Sequence, residues 1–312
     1  MRYPDFSVEE SVLAPQGVRV IGGDGASPAA IVEQARDADV VLSGPGPRFD
    51  QHVIARLSCR GIVRYGVGVE SVDLDAAARA GMWVAYVPDY GTDVVALHAV
   101  TLLLAAIRRL PAADATVKGG EWGLAHLRPL HAPPALTVGI VGFGRIGRRA
   151  AQLLRPFGFS LLAHDPHVDV TSVERDVRAA SFEELLRSSD AVTLHVPGRA
   201  DRRPLLGREE LARLRPGAVL VNTARGSLID QRALVEGLRR GTPSFAALDV
   251  FEPEPPGTAF AEVAEFVILT PHMAWYTEES ELDLRLKAAR EALRILEGAA
   301  PLNAAARPRR SA

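Results

Sequence analysis

Three short segments of the chain carry residue types that handle protons and anions: Asn222-Thr223-Ala224-Arg225-Gly226, the run DVFEPEP at 249–255, and Thr270-Pro271-His272. A planar guanidinium such as that of Arg225 can fork onto a carboxylate and a neighbouring oxygen. A histidine such as His272 can carry a proton near neutral pH. A buried carboxylate, from Glu252 or Glu254, can orient that histidine and stabilise its protonated form. Together these groups suit reversible proton transfer beside hydride transfer to a nicotinamide. Each segment directly follows an apolar, strand-like run: AVLVN (218–222), SFAALD (244–249) and FVILT (266–270). Open α/β sheets bind ligands beyond the carboxyl ends of their strands, so residues distant in sequence can converge there.

A second constellation lies upstream. Gly142-Phe143-Gly144-Arg145-Ile146-Gly147 follows the apolar run TVGIV (137–141) and opens a helical pattern. In such a G-x-G-x-x-G, Gly142 permits the tight turn, Gly144 lets the backbone approach a pyrophosphate, and Gly147 lets helix and strand pack closely. The helix N-terminus offers N–H groups and a partial positive charge to the phosphates. Asp165 stands 18 residues after Gly147, just past the next strand-like run, SLLAH (160–164). An acid there can bond a ribose 2′-hydroxyl and repels a 2′-phosphate, which favours NAD over NADP. His164 and His167 flank it.

The elements that must position these groups follow from pattern. The 312 residues predict about two domains at the usual ~150 residues each. VRVIGG (18–23), ADVVLSG (38–44), GIVRYGVG (61–68) and WVAYVP (83–88) read as strands of a first βα block, with Ser27-Pro28 as N-cap and N1 of its first helix. An apolar helix is expected from Thr92 to Leu110, stopped by Pro111. Six strand-like runs follow, the sixth at 266–270; AVTLH (191–195) completes the set. Six strands with helical crossovers are what two mononucleotide-binding halves require. Ser181 to Glu184 reads as a capping box, and Thr277 as the N-cap of a long amphipathic helix, Glu278 to Leu296. The tail 304–312 carries no pattern and is expected to fray.

Composition narrows the classes. The chain is 47% hydrophobic with a formal charge of −2, a folded protein with no electrostatic footprint for nucleic acid. Its longest apolar stretch, Ala96 to Ile107, falls short of the ~20 residues that span a bilayer. The N-terminus lacks the apolar core of a secretory signal, and the single cysteine, Cys59, fits a reducing cytoplasm. No metal, membrane or nucleic-acid partner is expected.

At this point the chain resembles the D-isomer-specific 2-hydroxyacid dehydrogenase family. The resemblance is carried by RYGVGVESVDL (64–74), VGIVGFGRIG (138–147), TLHVP (193–197), NTARG (222–226), ALDVFEPEP (247–255) and TPH (270–272). TPHMAWYTEES (270–280) and YVPDYGTDVVA (86–96) make it most similar to the C-terminal-binding-protein-like branch. The resemblance implies an α/β fold of two Rossmann-like, doubly wound parallel-sheet domains with a cleft between them. The substrate domain would comprise 1–96 and 273–312, the dinucleotide domain 97–272. It implies Arg225 as clamp for the substrate carboxylate and carbonyl, His272 as acid/base and Glu254, rather than Glu252, as its partner. Gly142, Gly144, Arg145, Ile146, Gly147, Asp165 and Thr92 would hold NAD, with Thr223 and Asp249 facing its nicotinamide half. The backbone of Val67 and Gly68 would hold the carboxylate, and Trp275 would line the substrate pocket. Trp275, Tyr65 and the Gly44-Pro45-Gly46 loop would suit a medium, uncharged 2-oxo acid.

The resemblance also implies a homodimer through the region 92–122, with Trp122 and Leu102–Leu104 as candidates. An alternative in the same family is an NAD(H)-responsive, corepressor-like binding protein. The chain departs from the family at Val95-Ala96-Leu97-His98, where Leu97 replaces the acid that usually precedes the histidine. A local partner for His98 is therefore not expected.

Overall fold

The computed structural model describes Tyr3, residues 5–198, Asp201 and residues 203–309. Among these residues eleven strands form: β1 (Val40–Ser43), β2 (Gly61–Arg64), β3 (Trp83–Tyr86), β4 (Thr137–Val141), β5 (Ser160–His164), β6 (Arg178–Ala179), β7 (Ala191–Leu194), β8 (Val219–Asn222), β9 (Phe245–Leu248), β10 (Val267–Leu269) and β11 (Ala304–Ala306). They belong to two units, Met1–Gly91 with Thr277–Ala312, and Thr92–Tyr276. The boundaries expected at 96/97 and 272/273 would cut helix Thr92–Ile107 and the turn after His272. The division instead leaves both elements whole.

The first unit has a four-stranded sheet in the order β1-β2-β3-β11, the first three parallel and β11 antiparallel to β3. Side chains alternate across a strand. Ile62 packs with Ile31, Ile54 and Ala77 on one face, and Gly61 lies against Ile295 of helix Glu278–Leu296. Caps follow the sequence: Ser27 Oγ accepts from Ala30 N at 3.1 Å, and Thr277 exchanges hydrogen bonds with Ser280. Two expectations fail here. VRVIGG forms no strand: Ile21 is 69% exposed and only Val18 and Val20 are half-buried, too little apolar surface to hold a strand in place. The tail does not fray throughout, because Ala304–Ala306 pairs with β3 and Arg309 bonds Asp75. Residues 310–312 lie outside the described residues.

The second unit is a seven-stranded, all-parallel sheet in the order β10-β9-β8-β7-β4-β5-β6. Its first half runs outward through β4, β5 and β6, its second through β7, β8 and β9, with a switch point between β4 and β7. Every residue of β7, β8 and β9 is buried, as a sheet covered on both faces demands. Val138, Ile140, Val219 and Val221 face one core with Leu103 and Leu154. Val141, Val192, Leu220 and Leu248 face the other with Leu185, Leu211 and Leu234. The register aligns Val141, Leu194, Asn222, Leu248 and Leu269 in one row. Whatever leaves these strands therefore leaves at one sheet edge.

The expected helix Thr92–Leu110 is two helices. Thr92–Ile107 ends before Arg109, whose φ of 49° breaks the ladder, and Leu110–Lys118 starts with Pro111 in its first turn at a bend of 58°. Pro111 opens a helix because a first-turn residue needs no N–H partner. No single helix among the described residues is long and apolar enough to cross a membrane.

Candidate active site

The row of strand ends sets the geometry. After β8 the chain turns at Asn222, which is 1% exposed. Its side chain donates to the Arg225 carbonyl at 2.8 Å and accepts from Ala224 N at 3.0 Å. Gly226 then packs directly on the Phe251 backbone, where a Cβ would have no room. Arg225 is thereby fixed, half-buried, beside the loop that follows β9.

That loop carries Glu254 back over its own start. One carboxylate oxygen, Oε1, accepts from Phe251 N at 3.1 Å, and Oε2 accepts from His272 Nδ1 at 2.8 Å. Burial pushes the Glu254 carboxyl up, but the His272 hydrogen bond, the charge of His272, the Phe251 N–H and the charge of Arg225 outweigh it. Its pKa is held below the ordinary carboxylate value. The structure thus brings His272, Glu254 and Arg225 together. Glu252 stays apart: its backbone carbonyl accepts from Gln231, and the residue is exposed. The pair itself is half-exposed, with side chains 45% and 39% accessible, so a small molecule can reach it.

His272 sits in the left-handed region, at φ 52°. Only short polar residues and glycine enter that region readily. Its N–H donates to the carbonyls of Asp249 (2.9 Å) and Thr270 (3.0 Å), and its carbonyl accepts from Trp275 Nε1 at 3.1 Å. Trp275, expected in a substrate pocket, therefore also holds the His272 backbone. Asp249, expected to face nicotinamide, bonds the 270–274 loop. Its carboxylate is fully buried and accepts from Thr270 Oγ1 (2.5 Å), Met273 N (2.9 Å) and Ala274 N (2.9 Å). A buried charge needs donors, and the 270–274 loop supplies them.

The glycine-rich loop lies at the switch point. Gly142 has φ 90°, and a Cβ there would strike the His195 carbonyl. Gly147 packs on the Gly142 carbonyl, while a Cβ at Gly144 would meet nothing within 4 Å. Helix Arg145–Leu154 starts at Gly144 with no side chain capping its N-terminus. Asp165 Oδ2 accepts from Phe143 N at 2.8 Å and Oδ1 from His167 N at 2.9 Å. It braces the loop, and a carboxylate keeps lone pairs for ribose hydroxyls besides. Two buried polar atoms nearby in sequence to this edge lack partners, Thr223 Oγ1 and His195 Nδ1. Burial pulls the His195 pKa down to about 4, so the ring is neutral. These features fit NAD: an open cradle over a helix N-terminus, an acid after the second strand of the unit, and polar atoms awaiting a ligand. Thr92 and Arg145 line a cavity of about 330 Å³ with Arg148, Arg149 and Gln152, and Arg225, Glu254 and His272 are not part of that lining. Ile146 follows in the first helical turn.

In the first unit, Val67 is 43% exposed in the loop after β2, and Gly66 takes φ 121°. Buried Arg64 donates to the Gly68 carbonyl at 3.2 Å, the Ser43 carbonyl at 3.0 Å and the Gly44 carbonyl, tying two loops together. Tyr65, expected along a side-chain pocket, is half-buried. Its hydroxyl donates to buried Glu9 at 2.8 Å, where Arg285 also binds bidentately at 2.7 and 2.9 Å. Sequence reasoning missed this network, since Glu9 and Arg285 are separated by nearly the whole chain. It missed His98 for the same reason: the Nε2 lies 3.2 Å from Thr270 Oγ1, a partner 172 residues away.

Fold and site together define an α/β dinucleotide-binding protein with a hydrogen-bonded histidine–glutamate pair and an arginine at its strand ends. Residues 100–274, more than half of the chain, match the D-isomer specific 2-hydroxyacid dehydrogenase, NAD binding domain. The chain is 35% identical over 289 residues to a glyoxylate reductase of Aeropyrum pernix, covering 88% of this chain and 84% of that one. It is 35% identical over 271 residues to D-3-phosphoglycerate dehydrogenase of Methanocaldococcus jannaschii, covering 86% of this chain but 52% of that one. The chain thus spans about half the length of the phosphoglycerate dehydrogenases it matches. A solved D-lactate dehydrogenase of Aquifex aeolicus, in complex with NAD and lactic acid, superposes with a TM-score of 0.84 at 25% identity, over 94% of this chain and 92% of that one. The protein belongs to the D-isomer-specific 2-hydroxyacid dehydrogenase family and carries that family's NAD-binding domain.

Proposed function

We propose that the protein interconverts a 2-oxo acid and a D-2-hydroxy acid with NAD(H). The observation that supports this most is the 2.8 Å His272–Glu254 pair, half-exposed beside Arg225 at the strand ends. NAD, when bound, supplies or accepts the hydride at the substrate's C2. His272 Nε2 faces the task of giving a proton to the forming alkoxide, since Nδ1 is committed to Glu254. Glu254 keeps the ring oriented through its bond to Nδ1. Arg225 stabilises the negative carboxylate and the developing oxyanion. In the oxidative direction His272 takes the hydroxyl proton instead. Val67 and Gly68 are carried in the same proposal as backbone donors to the carboxylate, and Trp275 as a wall for the substrate side chain.

A medium, uncharged 2-oxo acid is the substrate class proposed. A homodimer is proposed through the region 92–122, and exposed apolar side chains in and just beyond it favour that reading: Trp122 is 91% accessible, Leu124 63%, Leu97 56%, Leu110 55% and Val117 55%. Leu102 and Leu103 are buried in the unit's core, so they do not belong to such a surface. A reducing cytoplasm suits Cys59, a buried thiol pushed up to about 11 by its burial.

The test is turnover of a panel of 2-oxo acids with NADH, from glyoxylate and pyruvate to longer uncharged side chains, with chiral analysis of the product. Reduction to the D-hydroxy acid supports the proposal. NADH binding without turnover of any member would overturn it in favour of the corepressor-like binding reading.

A further inference from the structure

We propose that His98 is a positioning residue for the reaction, acting through Thr270 and Asp249 on the backbone of His272. The proposal rests on the reading of His272 as the acid/base. His98 lies on helix Thr92–Ile107, and its Nε2 is 3.2 Å from Thr270 Oγ1 and 3.7 Å from Asp249 Oδ1. The single proton of the Thr270 hydroxyl is committed to Asp249 Oδ1, at 2.5 Å. Thr270 Oγ1 therefore accepts from His98, which fixes the ring as the tautomer with hydrogen on Nε2.

The consequence runs along the loop. Asp249 is fully buried, and its two carboxylate oxygens hold Met273 N and Ala274 N, the two amides that follow His272. The Asp249 carbonyl holds His272 N itself. These bonds enforce the left-handed backbone of His272, a conformation that an unrestrained loop leaves. His98 reaches this knot from helix Thr92–Ile107, outside the loop, donating to Thr270 Oγ1 with Asp249 Oδ1 close by at 3.7 Å. Without it, Thr270 Oγ1 loses its donor, and the hydroxyl that bonds Asp249 loses its brace. The loop can then relax, and the Nδ1 bond of His272 to Glu254 loses its alignment. Because His98 acts on the backbone that carries His272, its effect falls on chemistry more than on binding.

Four variants test this in the intact protein: His98→Leu, His98→Gln, Thr270→Val and the double His98→Leu/Thr270→Val. Glutamine places an amide N–H close to the position of Nε2, and leucine places none. We expect His98→Leu to lower kcat about tenfold or more, with KM for the 2-oxo acid and Kd for NADH within about twofold of wild type. His98→Gln should recover kcat to within about threefold. Thr270→Val should reproduce the loss, and the double variant should be no slower than the slower single variant, since both cut one link. If His98→Leu fails to fold, the same kcat loss in Thr270→Val and the rescue by His98→Gln carry the test. An unchanged kcat in His98→Leu, a glutamine variant as slow as leucine, or a loss confined to NADH affinity overturns the proposal. His272→Gln separates the underlying reading: wild-type turnover there overturns the acid/base assignment itself, whereas an inactive His272→Gln beside a normal His98→Leu overturns only the role of His98.

Discussion

His272 Nδ1 donates to Glu254 Oε2 at 2.8 Å while Glu254 Oε1 accepts from Phe251 N, three residues back on its own loop. The carboxylate is therefore anchored at one oxygen and presented at the other. A histidine bonded in this way keeps Nε2 for a substrate, and its partner cannot swing away with it.

This pairing gives a pH test. Glu254 is held below the ordinary carboxylate range, with burial opposing and the His272 bond and charge prevailing. It therefore stays ionised as pH falls through the usual range near ~4.3, and the pair is lost only below that, as the carboxyl protonates. Reduction consumes a proton overall, so its equilibrium weakens as pH rises while oxidation improves, and on the acid side turnover should fall as Glu254 protonates. Glu254→Gln should remove the acid limb that the Glu254 carboxyl sets, and Glu252→Gln should leave it in place. A shift with Glu252→Gln alone in the kcat/KM profile would reverse the assignment of the two glutamates.

Arg225→Lys keeps a charge but loses the planar fork. Its kcat/KM for the 2-oxo acid should fall about 100-fold, or ~2.7 kcal/mol of transition-state stabilisation. NADH affinity, followed by fluorescence, should stay near wild type. A loss within about threefold would show that Arg225 is not the carboxylate clamp.

Asp165→Asn should relax the preference for NADH over NADPH. The amide oxygen can still accept from Phe143 N or His167 N, so the loop is largely retained while the charge that repels a 2′-phosphate is removed. The ratio of the two dissociation constants is the measurement, and an unchanged ratio would place the ribose contact elsewhere.

The Glu9–Arg285 pair tests stability. Glu9 is wholly buried and Arg285 nearly so, with side chains 0% and 6% accessible. Burial pushes the Glu9 carboxyl up, but hydrogen bonds from Arg285 and Tyr65 hold it below its ordinary value. Its contribution is thus present at neutral pH and lost as pH falls through that lowered value. Arg285→Met leaves a buried charge unpaired and should cost about 3–5 kcal/mol in urea unfolding, whereas Glu9→Leu/Arg285→Met should recover most of it. Equal losses in the single and double variants would count against a desolvation cost.

Six of the seven parallel strands of the second unit, all but β6, were legible in the sequence, as were the glycine-rich turn and the places of Asp165, Arg225 and His272 just past strand ends. Each depends on local rules: apolar runs long enough to be covered on both faces, a glycine where a Cβ has no room, a cap where a helix starts. The family pattern also separated Glu254 from Glu252. What the sequence misread were elements whose fate is set by partners. VRVIGG has strand composition but no neighbouring strand pairs with it. The tail's three alanines have no strand signal, yet β3 offers them an open edge. Pro111 reads as a stop, but a bend at Arg109 had already ended the first helix. The orientation of Asp249 toward the 270–274 loop, the reach of His98 to Thr270, and the burial of Glu9 on Arg285 were decided by tertiary structure alone. A buried polar group takes whichever donor the fold brings within about 3 Å, and that donor has no fixed distance along the chain.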